Sequence, residues 1–471
     1  MSYRTIDRRY VLIIVCSIII AIASTYIHHP STPVLLGNWG FKYSDIVHGV
    51  FLDRFSPDLI NKKDELEQKW YNPELYLALV NGTKSCPIPY IDYRFEYPPI
   101  VGILWGVSTC IAIQLVFPQH YTEYDYSTYI EKAAEVHFII QSVFLGTALV
   151  FTAIYMYRFA VLLRLSHWRV IIFLLLPSTL LYTVYNWDII TVALILIAIY
   201  YFFKEKYLYS GLLLGLAIST KLLPLVLALV LSYEVIQRIL RKKLVSNTAL
   251  KFFLSLIITA GLPFVVLGFL SYKGLLDMFQ HHAEWYCENC LYLLLNPDPW
   301  SPLHRILAMI IGGSTVMLTL IIPLKNLQNI LRSSFLAMLI STLFNYVFTP
   351  QMILLISPLA ILALDTKLLD IYILSDIANF GIIATFFKDL EIRRILGSFL
   401  GVEVKYSPWT IDSPVQWLAM IRNITLLIIW IYVLSISLKT LSSQLDENTY
   451  IASTEVKVYG KSENHDIHKG S

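Results

Sequence analysis

Apolar runs, many of them about 15 to 25 residues long, recur along almost the whole chain. They lie at residues 10–27, 98–117, 137–157, 168–185, 188–203, 208–219, 222–237, 249–270, 305–323, 333–348, 351–364, 369–386 and 415–438. A helix of that length crosses a hydrocarbon core of ~30 Å. The alternation of polar and apolar positions that marks a membrane barrel is absent. Only 15% of the residues are charged and 56% are hydrophobic, whereas a soluble protein carries roughly a quarter charged residues. The expectation is an all-α, polytopic membrane protein. The net charge of +3 is small, and the basic residues sit in short loops between runs. That pattern belongs to topology rather than to nucleic-acid binding.

The first run follows Arg4, Arg8 and Arg9 and ends in Tyr26, Ile27, His28 and His29. A cleaved signal peptide would end in small residues, so this run is expected to stay as a first helix with a cytoplasmic N-terminus. Residues 28–97 are polar, contain the glycosylation-type triplet Asn81-Gly82-Thr83 and Cys86, and suit an external loop. Later basic clusters, such as Arg158/Arg164/Arg169, Lys204/Lys206 and Arg238/Arg241/Lys242/Lys243, mark cytoplasmic loops, while the acidic loop 118–136 should be external. All these assignments agree only if the run 98–117, entered through Arg94-Phe95-Glu96-Tyr97-Pro98-Pro99, does not cross. The count is then about twelve transmembrane helices with both termini cytoplasmic, in a multi-pass protein of the cell (plasma) membrane.

The expected domain is a single unit, residues 1–440. It carries external loop 1 (28–136, with a juxtamembrane element at 98–117) and a second external loop after the seventh crossing (271–304). Residues 441–471 are polar and are expected to form a disordered cytoplasmic tail. This topology gathers five polar clusters on the external face: Lys42-Tyr43-Ser44-Asp45, residues 94–99, Asn186-Trp187-Asp188, Thr220-Lys221, and His281-His282-Ala283-Glu284 followed by Cys287-Glu288-Asn289-Cys290; a sixth, Thr349-Pro350-Gln351, lies between two short runs.

A long first external loop with an early acid in Tyr43-Ser44-Asp45, then Glu96-Tyr97-Pro98-Pro99-Ile100, resembles the GT-C superfamily of membrane glycosyltransferases. The run YNWDIITVALILIAIYYFFKEKYLYSGLLLGLAISTKLLP (residues 185–224) is similar to glycosyltransferase family 87, most recognisably in GLLLGLA followed by KLLP. The histidine-bearing loop and Phe348-Thr349-Pro350-Gln351 fit the same order, although HHAEWYCENC departs from the arginine-bearing form of that loop. The resemblance covers roughly residues 10–365.

It implies an enzyme, a GT-C-like hexosyltransferase. It would transfer a sugar, mannose by the family 87 likeness, from a polyprenyl- or dolichyl-phosphate donor to a hydroxyl of an extracytoplasmic lipid-linked or cell-surface glycan. The implied partners are that donor, a glycan or glycolipid acceptor and membrane lipids, without nucleic acid. An acceptor hydroxyl needs a base as the new bond forms, and the leaving lipid phosphate needs cationic or hydrogen-bonding partners. Asp45, less than about twenty residues after the first helix, matches the family's first-loop acid and is the expected base. Asp53 is the nearby competitor, with Arg54 beside it as a structural ion partner. Lys221, an ammonium at membrane depth, should face a cavity or an anion; snorkelling to the interface is the plain alternative.

His281 and His282 are expected donors to the phosphate, and Arg94 could hold it bidentately. Glu96, Asp188, Glu288 and Gln351 are weaker acceptor-side candidates, with helix N-capping as the simpler role for Asp188. The His281/His282/Cys287/Cys290 group has metal-ligand residue types, but adjacent histidines rarely share one ion and half of a proper site is missing. No metal or other cofactor is expected, although a divalent-cation requirement stays open. On an external face the two CENC cysteines are equally suited to a disulfide, with each other or with Cys86. The rival function is a lipid or glycan flippase or another transporter. Such proteins usually show internal repeats and mid-membrane charges, and no repeat is visible here.

Overall fold

The computed structural model describes residues 7–401 and 403–462, and only the backbone of 398, 400 and 440–462. Among the described residues the secondary structure is helical, with three isolated bridges and no strand. Seven helices are long and apolar enough to cross a membrane: Arg8–His28, Pro99–Val116, Glu123–Leu162, Ser246–Leu270, Leu303–Leu320, Thr366–Phe386 and Pro414–Lys439. Shorter apolar helices occupy Asp188–Phe203, Tyr207–Thr220 and Pro350–Ala363. The chain is therefore a helical membrane protein.

Prolines explain why several apolar runs are broken. The run at 168–185 forms two helices, Trp168–Leu175 and Pro177–Tyr182, with Leu176 extended between them; a residue before proline is pushed out of the helical region. Helix Tyr207–Thr220 likewise gives way to an extended Lys221 ahead of Pro224. At the other end, helix Pro414–Ser462 continues well past the last apolar run. After Pro414 the sequence has no proline, and its first glycine is Gly460, so nothing local stops it. Through residue 462 the segment expected to be a disordered tail is thus helical; residues 463–471 lie outside the described residues.

The GLLLGLA motif acquires a packing role. Gly211, Gly215 and Ser219 lie four residues apart on one helix face, against helix Ser246–Leu270. A Cβ on Gly211 would meet Ser255 Oγ and the Phe252 carbonyl, and one on Gly215 would meet Thr259 Oγ1. Ser219 Oγ donates to the Thr259 carbonyl at 2.6 Å. Small residues at this spacing let membrane helices approach closely where no hydrophobic force drives them together.

Helix Glu123–Leu162 organises the rest. Its 40 residues span about 60 Å, twice the thickness of a hydrocarbon core. The first helix covers its C-terminal half: Tyr10 meets Tyr157 and His29 meets Phe138, both with ring centroids 5.9 Å apart. Helix Asp188–Phe203 covers the same half, from Trp187 on Gln141 (2.9 Å) to Tyr200 on Phe159. The diproline helix Pro99–Val116 covers the other half. Ser108 meets Gln141 at 3.1 Å, Thr109 meets His137 at 3.3 Å, and Phe117 packs on Tyr126. The first helix and the diproline helix therefore occupy successive levels along the long helix, overlapping only near residues 137–141.

The polar first loop runs beside the diproline helix. Cys86 is disulfide-bonded to Cys110 near its middle, and Lys84 Nζ donates to the carbonyls of Gln114 and Phe117 at 2.7 Å each.

Candidate functional site

A cavity of about 650 Å³ opens where these two levels join. Asp45, Glu96, Asp188, Lys221, His281, His282, Glu288 and Gln351 all line it, although they are scattered over more than 300 residues of sequence (Asp45 and Gln351 are 306 apart). Aromatic rings of Tyr43, Tyr97, Trp187, Trp285, Tyr286 and Tyr346 form much of the remaining wall.

Asp45 opens a wide, π-type helical turn, Asp45–Phe51, a geometry that recurs at functional sites. Ser44 starts the turn: it is extended, and its Oγ accepts from Val47 N at 3.3 Å. The Asp45 amide donates to the Tyr185 carbonyl at 3.1 Å, tying the first loop to the segment before Asp188. Its Oδ2 accepts from Asn186 Nδ2 at 2.6 Å and from Gln351 Nε2 at 3.3 Å. Burial pushes the carboxyl up to about 7; the Asn186 hydrogen bond pulls it down, and the charge of Glu288 raises it again. A carboxylate titrating near 7 is half ionised at neutral pH, the condition that suits a general base.

Lys221 and Asp188 meet as an ion pair, the carboxylate fully buried and the ammonium about one-quarter exposed. The Asp188 carboxylate thus serves as counter-ion to Lys221. Its Oδ2 is buried and has no hydrogen-bond partner among the described residues, so the charge rests on Lys221.

Helix Tyr272–Glu284 brings in the two histidines. Burial holds both below the usual imidazole range, leaving them neutral at pH 7. His282 Nδ1 lies 2.9 Å from the Met278 carbonyl and must carry the hydrogen there. In the neutral ring Nε2 then carries the lone pair. His281 packs against Trp285, 4.8 Å between ring centroids.

Two of the expected site residues lie elsewhere. The Arg94 side chain lies outside the cavity lining and approaches Asp277, with Nε 4.0 Å from Oδ2. The guanidinium that meets Glu96 is instead that of buried Arg54, at 2.9 Å. Asp53 also lies outside, paired with Arg54 and with Lys69 (2.6 Å). Local competition explains both outcomes: Arg54 Nε donates to the Arg94 carbonyl at 2.8 Å and occupies the inward position.

Glu288 sits on a turn closed by the Cys287–Cys290 disulfide, and Cys86 pairs with Cys110 rather than with either of them. Its carboxylate accepts from Trp285 Nε1 at 2.7 Å, and burial raises its proton affinity. Arg422, on the last membrane helix, braces this wall from behind. It donates to the carbonyls of Asn289 (3.0 Å) and Phe348 (2.9 Å) and to Asn379 Oδ1 (2.9 Å), and lies over the Phe348 ring. Trp285 and Arg422 carry no sequence signal of their own, and Arg54 is marked there only as the ion partner of Asp53. Asn186 could have been found from its place in Asn186-Trp187-Asp188.

Among the described residues the one group with metal-ligand side chains brought together is Cys287, Cys290 and His304. His281 and His282 are not part of it, and its cysteines are bonded to each other.

A scan of the chain against protein-family models gives no match, and no curated protein matches its sequence.

Proposed function

We propose that the chain is a GT-C-type glycosyltransferase that moves a sugar, mannose in the first instance, from a polyprenyl-phosphate donor to a hydroxyl acceptor. The observation that carries this reading is the convergence of Asp45, held at about 7, with Lys221 in one aromatic-walled cavity. Asp45 takes the acceptor O–H proton as the new glycosidic bond forms. The bond between the sugar's anomeric carbon and the phosphate oxygen breaks, and the lipid phosphate leaves with the electron pair. Lys221 is the one lysine or arginine among the cavity-lining residues, and an arriving phosphate competes with Asp188 for it. Glu96, Glu288 and Gln351 offer acceptors and a donor to sugar hydroxyls, and the rings give faces on which a sugar can stack.

In this reading the enzyme crosses the plasma membrane twelve times, with both termini cytoplasmic and the cavity on the external side. The diproline helix then lies outside the hydrocarbon core for most of its length. Its level beside Tyr126–Gln141, above the first helix, and its disulfide to the first loop support that arrangement.

The test uses purified protein with radiolabelled polyprenyl-phosphate sugars and membrane-lipid acceptors, comparing wild type with Asp45→Asn. Transfer by wild type and its loss in the variant are expected. No transfer from any lipid-phosphate donor sinks the enzyme; full transfer by Asp45→Asn sinks only the base.

A further inference from the structure

The Asp45 carboxylate is engaged on one side only. Its Oδ2 already accepts from Asn186 and Gln351, so Oδ1 is the oxygen left to take a proton. One turn further on stands Gly49, which lines the same cavity. Glycine inside a helical turn costs stability, and the Gly49 φ is not in the left-handed region, so the backbone does not demand it. The space around it does. A Cβ on Gly49 would meet Tyr43 Oη at 2.9 Å and Asp45 Oδ1 at 3.5 Å, with Asp45 Cβ next at 3.6 Å.

Tyr43 is held in place by the rings of His48, Tyr185 and Phe387, with centroids 5.5–5.9 Å away. Burial pushes its phenol up, so the hydroxyl keeps its hydrogen at neutral pH. Among the described residues that hydroxyl bonds no partner, Asp45 Oδ1 included. A fixed donor and a fixed acceptor thus flank one bare glycine at the cavity edge. A point against Gly49 lies within hydrogen-bond reach of both.

We propose that Tyr43, Asp45 and Gly49 form the seat for two neighbouring hydroxyls on a sugar ring of the acceptor. The assignment rests on the glycosyltransferase reading and names the acceptor's chemistry. The reacting hydroxyl gives its proton to Asp45 Oδ1 while its oxygen bonds the anomeric carbon, and the lipid phosphate leaves with the electron pair. A donor aimed at that same oxygen would tie up the lone pair that has to attack. The Tyr43 O–H therefore belongs on the neighbouring hydroxyl, where it fixes the orientation of the ring. A lone hydroxyl, such as that of a serine side chain, engages Asp45 and leaves the phenol unpaired. A site built to bond a hydroxyl rejects the analogue that lacks it. Gly49 keeps both oxygens bare, because any side chain there stands against the two at once, and the three rings stop Tyr43 from swinging aside.

The experiment titrates methyl α-mannopyranoside and N-acetylserinamide into full-length protein, in a detergent with no sugar headgroup. Occupancy is read from tryptophan fluorescence, since Trp187 and Trp285 line the cavity. The same proteins are assayed for transfer from radiolabelled polyprenyl-phosphate mannose at graded concentrations of glycolipid acceptor. Wild type should bind the mannoside and not the serinamide. Tyr43→Phe should weaken mannoside binding about fivefold, the worth of one ordinary hydrogen bond, and raise the acceptor KM by that factor while the donor KM stays put. Gly49→Ala should lose mannoside binding. Tyr43→Phe removes one oxygen from the surface and keeps the ring packing, so it decides the matter should Gly49→Ala fold poorly. Equal mannoside affinity in wild type and Tyr43→Phe overturns the seat, as does serinamide binding as tight as the mannoside's, or a wild type that binds neither. Mannoside binding with the expected ranking but no transfer from any donor sinks the enzyme and keeps the seat. Transfer with an unchanged acceptor KM in Tyr43→Phe does the reverse.

Discussion

Replacing Asp45 by Asn should make the protein more stable, by an amount that depends on pH in a defined direction. The carboxyl is raised from 3.8 to about 7 in the fold, so its charged form is disfavoured there by about three units, or about 4 kcal/mol. A group raised in this way binds its proton more tightly folded than unfolded. Stability therefore falls as pH rises from 3.8 towards 7 and is level above that. Asn is neutral throughout and escapes the loss. The variant's gain should be under about 1 kcal/mol near pH 4 and approach about 4 kcal/mol near pH 8. Because Asp45 is partly open to the cavity, that upper figure is a ceiling.

For a chain of 471 residues the unfolding entropy is roughly 1 kcal/mol per degree, so the ceiling corresponds to a Tm increase of about 4 °C. Thermal unfolding of both proteins in the same detergent at the two pH values reads the difference without any substrate. An equal Tm difference at both pH values, or none near pH 8, would refute the buried, proton-holding carboxyl on which the base assignment rests.

Three further outcomes are expected. Asn186→Ala removes the 2.6 Å donor that holds the Asp45 carboxyl down, so the acid limb of the kcat/KM profile for sugar transfer should move up from about 7 by about one unit; an unmoved limb argues against Asp45 as base. Lys221→Met strands the fully buried Asp188 and should destabilise by about 3–5 kcal/mol, with most of the loss recovered on adding Asp188→Asn, as thermal unfolding will read. A Gln119→Cys substitution, just beyond the diproline helix, should react with a membrane-impermeant maleimide on intact cells; labelling only after permeabilisation would mean that the helix crosses.

The membrane-helical class follows from run length and charge scarcity, which a sequence displays directly. Asp45 is legible because only a short stretch separates it from the first helix, and proximity in sequence limits its distance from the membrane face. Lys221 and Asp188 are each visible, but their pairing is not: they stand 33 residues apart, at the ends of consecutive apolar helices that fold back on each other. Arg94 lies outside the cavity lining because Arg54, 40 residues earlier, takes the inward place, and no local pattern ranks two arginines against each other. The tail is helical through residue 462 for a different reason. Polar composition suggests disorder, yet a chain without proline or early glycine prolongs a helix that packing has already nucleated.

The separation in sequence of the groups around Asp45 also sets an order of events during synthesis. Asn186 emerges 141 residues after Asp45, and Gln351 emerges 306 residues after it. At 5–20 residues per second, the carboxylate waits roughly 15 to 60 s for its second amide partner. Through that interval the first loop holds a carboxylate with at most one of its two amide partners, and the cavity cannot close before the ribosome has passed Gln351. A chain truncated anywhere earlier has Asp45 and no complete cavity around it, which leaves a charged, open cleft as the signature by which an incomplete copy differs from a finished one.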